Sequence, residues 1–148
     1  MSHLLWHYIV GPQFQLIVES GVILPDSFAN GGYLDCVWFG RDKFWEDRFG
    51  KLSCDRPTDV IYSANRDEIA GRAGGLGRIG VSSTALPNNW SDYERMLRDC
   101  APVQEIVHRS RMISSRHERF TIQQVPSEAW QTVQIWQDGT WHDMPFER

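Results

Sequence analysis

The stretch Leu4–Pro25, LLWHYIVGPQFQLIVESGVILP, decides how this chain begins to fold. An apolar and aromatic run of strand length opens the stretch and contains one polar residue, His7. Gly11-Pro12 ends this strand and begins a helix, and Gly21 supplies the glycine that commonly caps a helix. A second short strand follows over residues 22–24. The stretch therefore predicts a strand, a helix and a strand in succession.

His7 is the residue of this stretch that raises a functional question, since a buried imidazole must find hydrogen-bond partners. A lone histidine in a strand is usually a satisfied core residue. However, an apolar strand with a histidine, a short helix, Ser20-Gly21, apolar residues and Pro25 resembles the opening of the ADP-ribosyltransferase superfold. The resemblance implies that His7 forms a hydrogen bond to a ribose of NAD.

The composition limits the classes of protein to which this chain can belong. The 148 residues predict one domain, residues 1–148, and 41% hydrophobic with 23% charged residues is typical of a globular chain. A net charge of -4 argues against non-specific binding to a nucleic-acid backbone, although a local basic patch remains compatible with it. Three widely spaced cysteines predict neither a zinc site nor a disulfide framework. With no signal peptide and no apolar run of spanning length, we expect a reduced, cytoplasmic protein without membrane or metal.

A second resemblance lies in residues 37–49, VWFGRDKFWEDRF. In the superfold, a strand that ends in an aromatic and a small residue leads into a helix that walls the nicotinamide pocket. The resemblance makes Tyr33, Trp38, Phe39 and Trp45 pocket candidates, of which Trp38 and Phe39 are expected in the core rather than in the wall. The segment 51–75 carries little pattern and is expected to cover or flank the site.

The residues 76–81, LGRIGV, predict a strand in which two glycines indicate a bulge or a close approach of a ligand or strand. Arg78 on this strand is either a solvated charge or a ligand for phosphate. Helices are predicted from Trp90, capped by Asn88-Asn89, and from Pro102. The arginine-rich residues 108–119 indicate an exposed helix end or an anion-binding patch.

The closing third reads as sheet, with strands over 120–125, 130–137 and 140–143. Asp138-Gly139 between the last two is a strong hairpin signal. In the superfold, a glutamate near a late strand, a few residues before Val-Pro, stabilises the positive charge that develops on the sugar. Here that position holds Gln123, and Glu118 is the alternative carboxylate. Losing such an electrostatic contact costs on the order of 10²–10³ in rate, so the sequence favours nucleotide binding over efficient transfer.

Together these observations predict an α+β domain, ADP-ribosyltransferase-like, with two small packed antiparallel-rich sheets and flanking short helices. The resemblance implies transfer of ADP-ribose from NAD to a protein or nucleic-acid acceptor, with loss of nicotinamide. Its catalytic candidates are His7, Gln123 and Glu118. Its NAD-binding candidates are His7, Tyr8, Tyr33, Trp38, Phe39, Trp45 and Arg78. Two alternatives stand beside it: a non-catalytic binder or sensor of a nucleotide, for example in phage–host conflict, and an RNA 2'-phosphotransferase-like activity that uses Arg and His groups around a phosphate.

Overall fold

A computed structural model describes residues 3–26, 34–40, 75–100 and 117–148 of the chain. These ranges contain eight strands and two α-helices. The strands are β1 (Leu4–Val10), β2 (Val22–Ile23), β3 (Val37–Gly40), β4 (Leu76–Ser82), β5 (His117–Thr121), β6 (Val125–Pro126), β7 (Trp130–Gln137) and β8 (Thr140–Asp143). The helices are α1 (Gln13–Ser20) and α2 (Trp90–Cys100), and short 3-10 turns cover Ser83–Ala85 and Ser127–Ala129.

The strands form a six-stranded sheet in the order β5-β3-β1-β4-β7-β8 and a two-stranded sheet of β2 and β6, and all pairs are antiparallel. The α+β class and the antiparallel pairing are confirmed. The expectation of two small sheets was wrong in its proportions, because one sheet holds six strands. The reason is β1: it is apolar on both faces and pairs along both edges, which joins the early and late strands into one sheet.

The α1 face of the six-stranded sheet, named after the helix that covers it, carries the larger core. Leu5, Ile9 and Ile79 on this face pack with Phe14 of α1, and all four are buried. A glycine in β4, Gly77, leaves the space that the Phe14 ring occupies. The sequence predicted the close approach of a ligand or another strand, whereas at Gly77 the approaching group is the Phe14 side chain of α1.

Helix α1 ends as predicted. Gly21 has φ 73° in the left-handed region, and its N–H donates to the Ile17 carbonyl at 2.9 Å. Glycine adopts this conformation without the steric cost that a Cβ would bring. The chain then turns directly into β2.

The opposite face, which we call the α2 face, carries a smaller aromatic core. Tyr93 of α2 lies against Trp38, with ring centroids 4.8 Å apart, and against Phe120 at 5.7 Å. The helix begins where the sequence predicts, at a reciprocal cap: the Asn89 N–H donates to Asp92 Oδ2 at 2.9 Å, and the Asp92 N–H donates to Asn89 Oδ1 at 3.0 Å. Trp38 is thus held between a strand and a helix.

The hairpin of β7 and β8 confirms the Asp138-Gly139 prediction. Both residues have positive φ, 52° and 77°, as the type I′ turn requires. A register shift between Gly80 and Val81, where β4 pairs with β7, also agrees with the predicted bulge. Three predicted segments lie outside the described residues: the helix that the resemblance implies after β3, the helix from Pro102, and residues 51–74 of the low-pattern segment.

Candidate functional site

His7 lies on β1, the third of the six strands, and its side chain is half-buried. Its Nδ1 atom lies 2.9 Å from the carbonyl oxygen of Trp38. Because a carbonyl oxygen can only accept a hydrogen bond, Nδ1 carries the proton in this contact, and Nε2 is then the acceptor nitrogen of the neutral ring. The ring also packs against Phe39, with centroids 5.6 Å apart and an angle of 44°. Strand β3 therefore fixes both the tautomer and the orientation of His7.

Arg119 lies on the same face as His7, two strands away. The register pairs Arg119 with Phe39. Phe39 in turn lies opposite His7 when the antiparallel pairing of Trp6 with Gly40 is continued by one residue. Since neighbouring strands lie just under 5 Å apart, the Cα atoms of His7 and Arg119 are separated by about 10 Å. The row Arg119–Phe39–His7 thus combines a half-buried guanidinium, a buried phenyl ring and a half-buried imidazole, a combination that suits a ligand with phosphate and hydroxyl groups.

Glu118 occupies a β-bulge next to this row. Phe39 pairs with Arg119, whereas the next residue of β3, Gly40, pairs with His117. Glu118 is therefore the extra residue of β5 at this point. Bulges are over-represented beside active sites because they interrupt the ladder and redirect the residue they contain.

Gln123 lies beyond the end of β5, in an exposed turn two residues before β6. Its backbone N–H donates to Thr121 Oγ1 at 3.1 Å. This position, just before Val125-Pro126, is the one at which the resemblance expects a glutamate. The structure places an uncharged, solvent-facing amide there, while Glu118 belongs to the strand itself.

Arg78 lies on the α2 face and is only 7% exposed. Its Cζ lies 3.8 Å from the ring centroid of Trp6 and 4.1 Å from that of Trp141, so two indoles flank the guanidinium plane. Its Nε donates to Gln134 Oε1 at 2.8 Å, and Gln134 Nε2 donates to Asp143 Oδ1 at 2.8 Å. Of the two alternatives for Arg78, the solvated charge is wrong, because this cation is buried between aromatic rings and linked to a carboxylate through one amide.

The structure divides the predicted NAD-binding residues between the two faces of the sheet. Successive residues of a strand point to opposite faces, so His7 and Tyr8 do not lie on the same side. Phe39 shares the α1 face with His7, while Tyr8, Trp38 and Arg78 share the α2 face. A ligand on one face contacts only one of these groups.

Phe39 and Trp38 are core residues, as expected of them. Phe39 is fully buried and Trp38 is 5% exposed, so neither ring presents a stacking surface in this conformation. Tyr33 and Trp45, the other two aromatic candidates, lie outside the described residues.

The sequence did not indicate the residues that surround Arg78, namely Trp6, Gln134, Trp141 and Asp143. The alternation within β1 could have grouped Trp6 with Tyr8. The hairpin at residues 138–139 could have paired β7 with β8, which places Gln134 opposite Asp143. Their convergence on Arg78 depends on the pairing of β4 with both β1 and β7, which no local pattern contains.

Within the ranges that the structure describes, no group of three or more His, Cys, Asp or Glu residues is placed to hold a metal ion. None of the helices in these ranges has the length and apolarity that crossing a membrane requires. Comparison of the chain with protein-family models, with curated proteins and with solved structures finds no match in any of the three.

Proposed function

We propose that this protein binds a nucleotide of the NAD class on the α1 face of the six-stranded sheet, as an ADP-ribosyltransferase-like protein. The observation that carries the proposal is the fixed imidazole of His7, half-buried on the central strand with its Nδ1 bound to the Trp38 carbonyl. In the superfold that the sequence resembles, the histidine of the first strand contacts a ribose. A neutral imidazole whose tautomer is fixed suits a hydroxyl group, which both donates and accepts.

Arg119 supplies the charge that a dinucleotide needs. A guanidinium binds phosphate oxygens in a bidentate way, and about 10 Å between the Arg119 and His7 positions allows one ligand to reach both. Phe39, which is buried between them in the row, holds the imidazole in place rather than stacking on the ligand.

Transfer of ADP-ribose, with release of nicotinamide and a protein or nucleic-acid acceptor, needs a carboxylate near the sugar, where positive charge develops. Gln123 cannot supply that charge. We therefore assign this role to Glu118, whose place in the bulge of β5 is next to Arg119.

The second candidate is a protein that binds the nucleotide without turning it over. The uncharged Gln123 in the exposed turn before β6 favours this alternative, since it stands where the superfold has its glutamate. Arg78, a candidate ligand for phosphate in both the NAD-binding proposal and the RNA 2'-phosphotransferase-like alternative, is buried on the opposite face and supports neither.

Calorimetric titration with NAD tests the binding step. His7→Ala and Arg119→Ala are expected to weaken binding at least tenfold, which corresponds to about 1.4 kcal/mol per contact. His142→Ala is the matched control, because this exposed histidine lies on β8 at the far edge of the sheet. Equal affinity in all four proteins, or no binding by the native chain, would refute the proposal.

Free nicotinamide, measured chromatographically in the same samples, separates the two candidates. If Glu118 stabilises the charge on the sugar, Glu118→Gln lowers release by on the order of 10²–10³ while affinity stays within a few-fold. Binding with no release by the native protein supports the non-catalytic binder. In that case Gln123→Glu tests whether a carboxylate at the superfold position is what the chain lacks.

A further inference from the structure

Strand β8 is the outermost strand at one side of the six-stranded sheet, and β5 is the outermost strand at the other. The two edges differ. At the β5 edge, Asn88 and Phe120 exchange two backbone hydrogen bonds, at 2.9 and 3.2 Å. No described residue is hydrogen-bonded to the outer edge of β8, which pairs only with β7. A strand edge without such a cover can add a further strand through its backbone groups.

The hairpin with β7 determines which backbone groups of β8 point outward. The Met144 N–H donates to the Val133 carbonyl at 2.8 Å, so this pair is hydrogen-bonded across the ladder. Because hydrogen-bonded and non-hydrogen-bonded pairs alternate along an antiparallel ladder, the backbone groups of His142 also point toward β7, whereas those of Trp141 and Asp143 point away from it. The outer edge of β8 therefore presents two N–H donors and two carbonyl acceptors.

This edge is complementary to a second copy of itself. Among the two-fold registers in which outward groups face each other, an axis beside His142 places Trp141 of each copy opposite Asp143 of the other, and all the outward groups are then bonded. An axis beside Asp143 would set the two carboxylates directly opposite each other, which is destabilising. An axis beside Trp141 would place Asp143 opposite Gly139, which lies in the turn beyond the end of the strand. Backbone bonding and charge thus favour the same register.

We propose that the outer edge of β8 is a self-association site, at which two copies of this chain pair antiparallel about an axis beside His142. The pairing joins their two six-stranded sheets into one continuous sheet. On the α2 face, the half-buried Trp141 rings of the two copies become diagonal neighbours, a separation that aromatic side chains span. Asp143 Oδ1 accepts from Gln134 Nε2 at 2.8 Å, which turns the carboxylate toward its own chain.

The association does not involve the residues of the proposed nucleotide site. His7 lies on β1 and Arg119 on β5, and two strands, β4 and β7, separate β1 from β8. Each copy in the dimer therefore keeps its own α1-face site.

Analytical ultracentrifugation of the full chain, over a concentration series up to about 1 mM, measures the association. The native chain is expected to change from monomer to dimer as its concentration rises. Asp143→Pro removes the outward N–H at this position and is expected to weaken the dimer by roughly tenfold or more, since both copies lose this donor. Asp143→Ala is the matched control, because it loses the same carboxylate, keeps the N–H and should still dimerise. Circular dichroism checks that both variants keep the fold.

Cysteine cross-linking tests the register and does not depend on the proline variant. In a Cys54→Ser and Cys100→Ser background, which retains the buried Cys36, His142→Cys places two thiols opposite each other. Their Cα atoms are about 4.5 Å apart, within the range of a disulfide. Thr140→Cys is the matched control on the same side of β8, and its two copies lie about 13 Å apart along the strands. With oxidised glutathione, His142→Cys is expected to give a covalent dimer joined through position 142, and Thr140→Cys is expected to give none.

A native chain that stays monomeric over the whole series would overturn the proposal, as would a dimer that Asp143→Pro leaves as tight as Asp143→Ala does. Cross-linking of Thr140→Cys that equals that of His142→Cys would overturn the register. None of these readouts uses NAD, so the self-association can fail or hold independently of the nucleotide-binding proposal.

Discussion

Gly77→Ala is a small change with a large expected cost, because the position of its new methyl group is already occupied. A Cβ at Gly77 would overlap three carbons of the Phe14 ring. Phe14 is 4% exposed and is the buried residue of α1, so its ring has little room to move. Forcing a methyl group into a packed core costs about 1–3 kcal/mol.

A double-mutant cycle gives this prediction its control. Phe14→Ala alone is expected to cost about 3–5 kcal/mol, as removal of a buried phenyl ring usually does. Once the ring is gone, Gly77→Ala has space for its methyl group and should cost less than about 0.5 kcal/mol, since alanine is otherwise no worse than glycine in a strand. The coupling energy between the two sites should therefore be about 1–3 kcal/mol.

The assay is urea unfolding followed by circular dichroism for the native chain, both single variants and the double variant. A cost for Gly77→Ala that is the same with and without the Phe14 ring would refute the reasoning. It would mean that α1 does not rest on β4 through this contact.

The remaining predictions concern the α2 face. Asn89→Ala removes the side-chain oxygen that accepts from the Asp92 N–H, and should lower the free energy of unfolding by about 1 kcal/mol. Asn89→Ser should restore most of this loss, and both variants are measured by urea unfolding. Gln134→Leu should cost about 1–3 kcal/mol, because it removes the oxygen that accepts from the buried Arg78 Nε. Gln134→Glu keeps an acceptor oxygen and should be tolerated. A cost for both variants would count against this hydrogen bond. Since the pKa of Cys36 is raised to about 12, the folded state binds its proton more tightly than the unfolded state. The stabilisation that this proton provides is complete below about pH 8.5 and is lost as the pH rises toward the pKa of Cys36 in the folded protein. The thermal midpoints of the native protein and of Cys36→Ser are measured over this pH range, and a parallel fall would contradict the assignment.

The local elements of the fold were predictable, and their assembly was not. The glycine cap at Gly21, the helix from Trp90 and the turn at Asp138-Gly139 depend on a few neighbouring residues, so the sequence contains what is needed. The joining of the strands into a six-stranded sheet depends on the pairing of β1 with β4, whose residues are far apart in the chain.

The candidate site shows the same division. The placement of His7 and Tyr8 on opposite faces follows from strand periodicity and could have been predicted. The burial of Arg78 could not, because the two indoles that flank it lie 72 residues before it and 63 residues after it. The role proposed for Glu118 depends on a bulge, and no residue type in β5 indicates one.

The long register of β1 with β4 has a consequence for how the chain is made. Leu4 pairs with Ser82 and Val10 with Leu76, so the partner of each β1 residue is synthesised 66 to 78 positions later in the chain. At about 5–20 residues per second, a ribosome needs roughly 3–16 seconds to supply that partner. Helix α1 follows at once and can shield one face of β1, but the edge that β4 will occupy stays open for the whole interval. Nascent chains on one polysome therefore expose identical apolar strand edges to each other, and slower initiation, which spaces the ribosomes, should raise the soluble yield.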